Sequence, residues 1–177
     1  TRPGAESRRG ETASVAGVLK HYRKLFYIEP PATLDGGDVL QVGKTLFVGL
    51  SQRSNAEGIE QLRKVVSAFG YTVIAVTLHD CLHLKSAATQ VIEDTLLINR
   101  QWVAPAAFGL MQFIDVAPTE PFAANAVRIG KTLVYPEAFP KTRQRLETHG
   151  IKVRTVDVSE PAKAEGGVTC CSLIFSG

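Results

Sequence analysis

Apolar residues along the chain recur in three stretches that share one pattern, in which two short apolar runs flank a two-residue polar turn. The stretches cover residues 42–48, 92–98 and 129–135. The turns are Gly-Lys or Glu-Asp, which suit tight reversals, and β-branched residues dominate the flanks. Each stretch therefore predicts a β-hairpin.

The first hairpin is followed by a helical pattern and then by another strand. The apolar positions that recur at helical spacing are Ile59, Leu62, Val65, Val66 and Phe69. Asn55 is suited to cap the start of this helix and Gly70 to stop it, because a short polar side chain binds free amides and glycine tolerates a left-handed backbone. Residues 71–76 predict the following strand.

The same order returns twice. After the third hairpin, residues 136–150 predict a helix and residues 152–158 a strand. The middle copy is shorter, with residues 104–110 as its helical candidate before a strand at 112–116. The chain is therefore predicted to be an α/β protein with three ββαβ modules, which would stack or form a ring with ligands at the centre. The alternative to a modular fold is that such short hairpin sequences resemble one another by chance.

Composition places the chain among globular proteins. Of its 177 residues, 45% are hydrophobic and 21% are charged, which permits a sizeable core. The net charge is only +3 and most basic residues alternate with acidic ones, so neither nucleic acid nor a membrane is the expected partner. An odd count of three cysteines, two of them adjacent, gives no disulfide framework and indicates reduced thiols in the cytoplasm.

The start of the chain, TRPG, reads like the end of a strand running into a turn inside a domain. It lacks the order of a signal peptide, and no apolar run approaches the roughly 18 residues of a membrane span. We expect residues 1–177 to form a single catalytic domain that lacks an N-terminal part of the full fold.

Polar residues interrupt apolar sequence in four segments, at points where strands should end. These segments are LDGGD at 34–38, LSQRSN at 50–55, LHLKS at 82–86 and EGGVTCCS at 165–172. Each has an ordinary structural interpretation: a glycine turn, a surface arginine, a core histidine, and a buried thiol ahead of a strand at 172–175. Together they contain a cysteine, a histidine and an acid, the set that nucleophilic thiol catalysis requires.

A zinc site would use the same residue types. The sequence contains no Cys-x-x-Cys or His-x-x-x-His pair, so we expect neither a metal nor a cofactor.

These segments resemble those of the dimethylarginine dimethylaminohydrolase family, in the guanidino-modifying or pentein superfamily. The resemblance extends from Arg2 to the end of the chain. It rests on RPGA at 2–5, SRR at 7–9, LDGGDVL at 34–40, FVGLS at 47–51, LHLKS at 82–86 and TCCS at 169–172, in that order. It implies a pentein-type propeller of five ββαβ modules around a pseudo-fivefold axis, of which this chain holds about three.

The resemblance also implies the reaction, which is hydrolysis of an Nω-methylated arginine to citrulline and a methylamine. Cys170, rather than Cys171, would attack the guanidino carbon, and His83 would transfer protons. Asp35 would hold the guanidino group near the histidine.

Four further residues would bind substrate. Arg8 and Arg53 would bind the substrate carboxylate, because a guanidinium forms paired charge-assisted hydrogen bonds. Ala164 and Glu165 would complete the substrate site.

Other functions stay open at this point. Arginine deiminases resemble a His-x-Asp pattern, whereas Lys85 occupies that offset from His83 here, which favours the methylarginine reaction. The family also has an N-terminal region with further acidic groups, which nothing in this sequence matches. Arginine deimination, amidino transfer and a binding module without turnover are the alternatives, and a second copy of the chain is a candidate partner in a homo-oligomer.

Overall fold

Three separate sheets, each of three strands, carry the fold. The structure is a computed structural model that describes residues 1–174. The strands are β1 (Val39–Val42), β2 (Thr45–Leu50), β3 (Thr72–Thr77), β4 (Ala88–Ile92), β5 (Thr95–Ile98), β6 (Gln112–Asp115), β7 (Val127–Ile129), β8 (Thr132–Pro136) and β9 (Lys152–Val156). In every sheet the first two strands form an antiparallel hairpin, and the third strand pairs parallel to the second. The α/β class and the three predicted hairpins are confirmed, whereas the closed fivefold ring stays a prediction.

The helices connect and precede these sheets. They are α1 (Glu11–Leu19), α2 (Ala56–Ser67), α3 (Leu84–Ala87), α4 (Pro140–Thr148) and α5 (Ser159–Ala162), with short 3₁₀ helices at Glu6–Arg8, Gly36–Asp38 and Pro105–Phe108. Helices α2 and α4 connect the second and third strands of the first and third units. In the middle unit this connection is only the 3₁₀ helix, because Pro105 starts it and Gly109, with a φ of 65°, ends it at once.

Local signals set the ends of α2 as predicted. The Asn55 side chain accepts a hydrogen bond of 2.9 Å from the Gly58 amide, and Gly70 has a φ of 73°. In the third unit the helix is shorter than the predicted 136–150, because Pro136 still belongs to β8. Helix α1 was not predicted, because its apolar residues do not gather on one face, and none of its residues is buried.

The predicted strand at 172–175 is wrong over its described part. Residues 172–174 lie in no regular element, since they pair with no neighbouring strand within the described residues. Phe175 lies outside the described residues.

The three units pack through their first strands, because β4 lies beside both β1 and β7. Apolar side chains fill the space between neighbouring sheets, including Phe47 and Leu96 in one cluster and Leu97 and Leu133 in the next. The segments directly before these strands, which we call the leading segments, are residues 35–38, 83–87 and 121–126. They meet at one end of the three strands, and there they form the candidate site.

No helix within residues 1–174 has the length and hydropathy that a membrane crossing requires.

Candidate active site

Asp35 and His83 face each other across the first two leading segments. Asp35 Oδ2 lies 3.5 Å from His83 Nε2 and 3.4 Å from an Arg8 guanidinium nitrogen. The Asp35 carboxylate also accepts a 3.3 Å hydrogen bond from the Gly37 amide. The contact with His83, aided by Gly37 and Arg8, outweighs burial and lowers the pKa of Asp35 to about 2. Asp35 is therefore ionised at neutral pH and places a negative charge beside the His83 ring.

The His83 ring packs directly against the backbone of Gly37. A Cβ atom at position 37 would lie 2.6 Å from His83 Cγ, so the close approach requires glycine. His83 Nε2 is buried and, among the described residues, finds no hydrogen-bond partner with good geometry. The imidazole is thus held between a turn and a carboxylate, with only 13% of its side chain exposed.

Asp38 connects three segments around this pair, although the sequence predicted no role for it. Its Oδ2 accepts hydrogen bonds of 2.7 Å from the hydroxyls of Ser51 and Ser54, and its Oδ1 accepts one of 3.0 Å from the Leu84 amide. Leu84 directly follows His83, so Asp38 fixes the backbone that presents the imidazole. Burial raises the pKa of Asp38, and the two hydroxyls and the Leu84 amide oppose that rise.

Of the three cysteines, Cys170 alone is both exposed and on the wall of the cavity that contains His83. Cys81 also borders the cavity, but burial raises the pKa of its thiol to about 11, so it stays protonated at neutral pH. Cys171 is exposed and does not line the cavity. Cys170 therefore remains the predicted nucleophile, with its thiol open to both solvent and the cavity.

The two arginines have different surroundings. Arg8 pairs with Glu11 at 3.0 Å as well as with Asp35, so the structure places it beside the Asp35–His83 pair. Arg53 lies in the turn after β2, where its amide donates to the Ser51 hydroxyl at 2.9 Å. Within residues 1–174 its guanidinium has no hydrogen bond or ion pair.

The loop before Cys170 supplies one further wall of the cavity. Glu165 lines the cavity with a φ of 57°, whereas Ala164 is exposed outside the lining and donates its amide to Pro161. Lys85, two residues after His83, also lines the cavity. Burial lowers the pKa of Lys85, and Cys170, Asp35 and Asp38 raise it again.

The cavity has a volume of about 1020 Å³ and gathers residues from all three units. Its walls include Gly37, His83, Lys85, Asn125, Glu165 and Cys170. A charged small molecule could enter it and meet a thiol, an imidazole and an ammonium group. Within residues 1–174 no cluster of three His, Cys, Asp or Glu side chains could hold a metal.

Sequence reasoning missed Asp38 and Asn125. Asp38 stands in the LDGGD segment, so its position was visible but its hydrogen bonds were not. Asn125 stands two residues before the start of β7 in an apolar run, AANAV, where a lone amide was the only available signal.

Comparison with known proteins identifies the family. The arginine deiminase family model matches residues 17–140. A dimethylarginine dimethylaminohydrolase of Pseudomonas aeruginosa is 36% identical over 177 residues, covering 99% of this chain and 70% of that protein. One of Streptomyces coelicolor is 40% identical over 175 residues, covering 98% of this chain and 67% of that protein.

Solved structures agree with the sequence matches. The Pseudomonas aeruginosa enzyme, crystallised as a cysteine-to-serine variant with citrulline, superimposes with a TM-score of 0.91 at 36% identity, over 98% of this chain and 69% of that one. A cyanobacterial arginine dihydrolase shares the fold at 21% identity, with a TM-score of 0.83, over 96% of this chain and 29% of that one. The chain therefore belongs to the dimethylarginine dimethylaminohydrolase family, within the pentein superfamily.

Proposed function

We propose that this chain hydrolyses Nω-methylated arginines, asymmetric dimethylarginine and monomethylarginine, to citrulline and a methylamine. The observation that carries the proposal is the Asp35–His83 contact at the wall of a cavity that Cys170 also lines. Two relatives that share at least 36% of its residues carry the name of this enzyme. A similar chain was crystallised as an adduct with S-methyl-L-thiocitrulline.

The first half of the reaction replaces the amine with the thiol. The Cys170 thiolate attacks the guanidino carbon and forms a C–S bond, while protonated His83 gives its proton to the departing methylamine nitrogen as the C–N bond breaks. The product is a covalent thiouronium on Cys170. A guanidinium is a stabilised cation and a poor electrophile, so the reaction needs a strong nucleophile held close to it.

The second half restores the enzyme. Neutral His83 takes one proton from a water molecule, whose oxygen bonds to the same carbon. The C–S bond then breaks to give the Cys170 thiolate, and the remaining proton on that oxygen passes to the solvent as neutral citrulline leaves. The ionised Asp35 beside His83 stabilises the imidazolium in both halves and attracts the substrate cation.

Substrate binding falls to residues around this centre. Within residues 1–174 the Arg53 guanidinium makes no hydrogen bond or ion pair, so it is the stronger candidate for the substrate carboxylate, with Arg8 beside Asp35 as the second. Glu165 lines the same cavity as Cys170, and its neighbour Ala164 lies just outside that lining. We propose that residues 1–177 act as one catalytic domain without a metal or cofactor, with a small molecule rather than nucleic acid or a membrane as partner. The free thiols fit the reducing cytoplasm.

Citrulline release from asymmetric dimethylarginine tests the proposal, with arginine measured in parallel. The Cys170→Ser variant should lose release entirely, since an alcohol is a far weaker nucleophile. The matched control is Cys171→Ser, which alters the neighbouring thiol and should keep wild-type turnover.

Two results would contradict the proposal. Turnover that survives in Cys170→Ser would mean that another group carries the chemistry. A preference for arginine over the methylated substrate would instead assign the chain to the deiminase reaction.

A further inference from the structure

The loop that carries Cys170 has little regular structure to hold it. It follows α5 without a strand or helix of its own. Within the loop the Cys170 amide donates to the Gly167 carbonyl at 3.0 Å, and Val168 is buried. These contacts shape the loop internally. The hydrogen bond between Cys170 and Gly167 does not connect the loop to the segment that carries His83.

Asn125 supplies that connection. Its Nδ2 donates to the Thr169 hydroxyl at 2.8 Å and to the Lys85 carbonyl at 3.0 Å, while its Oδ1 accepts from the Thr169 amide at 3.1 Å. Thr169 directly precedes Cys170, and Lys85 stands two residues after His83. One side chain from the third leading segment therefore links the backbone of the nucleophile to the backbone of the proton donor.

The residue type is specified by the hydrogen bonds. The amide group uses both of its donor positions on two acceptors and its oxygen on one donor, which an aspartate of the same shape cannot do because it has no donor. Gly167 makes room for this arrangement, since a Cβ atom there would lie 2.5 Å from Asn125 Oδ1. The loop and Asn125 fit each other.

We propose that Asn125 is a positioning residue that holds Cys170 in line with the Asp35–His83 pair. The role rests on the proposed function, because it matters only if the thiol and the imidazole act on one carbon. A displacement of about 1 Å between such groups can lower a rate about 100-fold. Losing Asn125 should therefore lower kcat while the substrate site, and hence KM, changes little.

The test uses two electrophiles that alkylate Cys170, read by mass spectrometry at each cysteine separately. 2-Chloroacetamidine carries an amidinium that the Asp35–His83 pair attracts, whereas iodoacetamide is neutral. The ratio of the two rates reports the alignment of Cys170 with that pair, and general exposure of the thiol cancels. Asn125→Asp and Asn125→Ala should lower the ratio by about 10-fold or more, and lower kcat about 10- to 100-fold with KM within about three-fold.

Asn99→Asp is the matched control. Asn99 also joins two segments through its amide, with hydrogen bonds of 2.9 Å to the Pro121 carbonyl and from the Gln101 amide. Asn99→Asp should lose stability like the Asn125 variants, because it too loses a partly buried hydrogen bond. It should nevertheless keep the wild-type ratio of the two rates. If the Asn125 variants fail to fold, Thr169→Val removes one of the three hydrogen bonds and should lower the ratio about three-fold.

Folded Asn125 and Thr169 variants whose ratio and kcat stay within two-fold of wild type would overturn the positioning role while leaving the proposed function intact. A fall of the same size in Asn99→Asp would also overturn it, because the effect would then be one of stability. A folded wild-type protein that releases no citrulline and shows no preference for the amidinium electrophile would instead overturn the proposed function, and the positioning role with it.

Discussion

Two aspartates only three residues apart are placed in opposite electrostatic environments. Asp35 faces His83 and Arg8, which stabilise its charge, so its pKa falls to about 2. Asp38 is fully buried among hydroxyls and an amide, and burial raises its pKa. The first carboxylate acts on the imidazole directly, whereas the second fixes the backbone next to it. Of the two glycines between them, Gly37 permits the close approach of the His83 ring.

Gly37→Ala tests how tightly the His83 ring is held. The added Cβ would lie 2.6 Å from His83 Cγ, so the ring must move and we expect turnover to fall at least 10-fold. Steady-state citrulline release is the measurement. Gly36→Ala is the control, because its nearest neighbour would be a Thr1 methyl at 3.9 Å, and it should keep wild-type activity. Equal losses in both variants would show that the turn, and not the ring contact, is sensitive.

Asp35→Asn tests the charge that the site stabilises. The folded-state pKa of about 2 lies below the usual value of 3.8, so ionised Asp35 stabilises the fold above about pH 4, and the contribution disappears as pH falls through 2. The shift corresponds to about 2 kcal/mol for a side chain that is only 10% exposed. Urea unfolding at pH 7 should show that Asp35→Asn is less stable than wild type by up to this amount. At pH 3 the difference in the free energy of unfolding between the two proteins should be about half as large.

Glu93→Gln serves as the control for that series, since it removes a carboxylate from the exposed turn of the second hairpin. A difference between wild type and Asp35→Asn that does not change with pH would contradict the stabilised charge.

At the scale of elements, two helices contain a glycine for different reasons. Gly58 lies in the first turn of α2, where a Cβ atom would come within 1.9 Å of the Thr33 carbonyl oxygen. Gly17 lies near the end of α1, where a Cβ atom would meet nothing within 4 Å. Close packing between α2 and the chain before β1 therefore requires glycine at position 58. Among the described residues no contact requires glycine at position 17.

Substituting alanine at both positions should therefore change stability in opposite directions. Gly17→Ala should stabilise the protein by up to about 1 kcal/mol, because alanine is the better helix former. Gly58→Ala gains the same propensity but must push the backbone at Thr33 away, so we expect a net loss of about 1–3 kcal/mol. Chemical denaturation of both variants is the measurement, and a stabilised Gly58→Ala would disprove the contact.

At the scale of the whole molecule, the units are joined by side chains that bond across their boundaries. Thr89 of β4 is buried; its hydroxyl donates to the Ala124 carbonyl at 2.6 Å and accepts from the Ala126 amide at 3.2 Å. Both partners, Ala124 and Ala126, lie in the leading segment that precedes β7 of the third unit. The same boundary places Asn125, which lies between those two alanines, beside the cysteine loop.

Thr89→Val tests this joint between units. Valine has a similar shape but leaves a buried carbonyl and a buried amide without partners, which should cost about 1–3 kcal/mol in the free energy of unfolding. Thr72→Val, on the exposed face of β3, should change stability by less than about 0.5 kcal/mol. Because Asn125 lies between the two partners of Thr89, Thr89→Val should also lower citrulline release. An unchanged free energy of unfolding in Thr89→Val would show that the units are joined elsewhere.

The sequence by itself determined the local structure and indicated the candidate reactive groups. The hairpins and the ends of α2 depend on residues a few positions apart, such as Asn55 and Gly58, so periodicity and turn chemistry were enough. Cys170, His83 and Asp35 were recognisable from their motifs.

Only the tertiary structure decided which groups meet. Asp35 and His83 come from different units, and Asn125 and Thr169 are 44 positions apart in sequence; they meet because β1, β4 and β7 lie side by side and align the segments before them. A hydrophobic pattern records which face of an element is buried, but it does not record which neighbour covers that face. For the same reason the hydrogen bonds of Asp38 and Asn125 could be seen only in the folded chain.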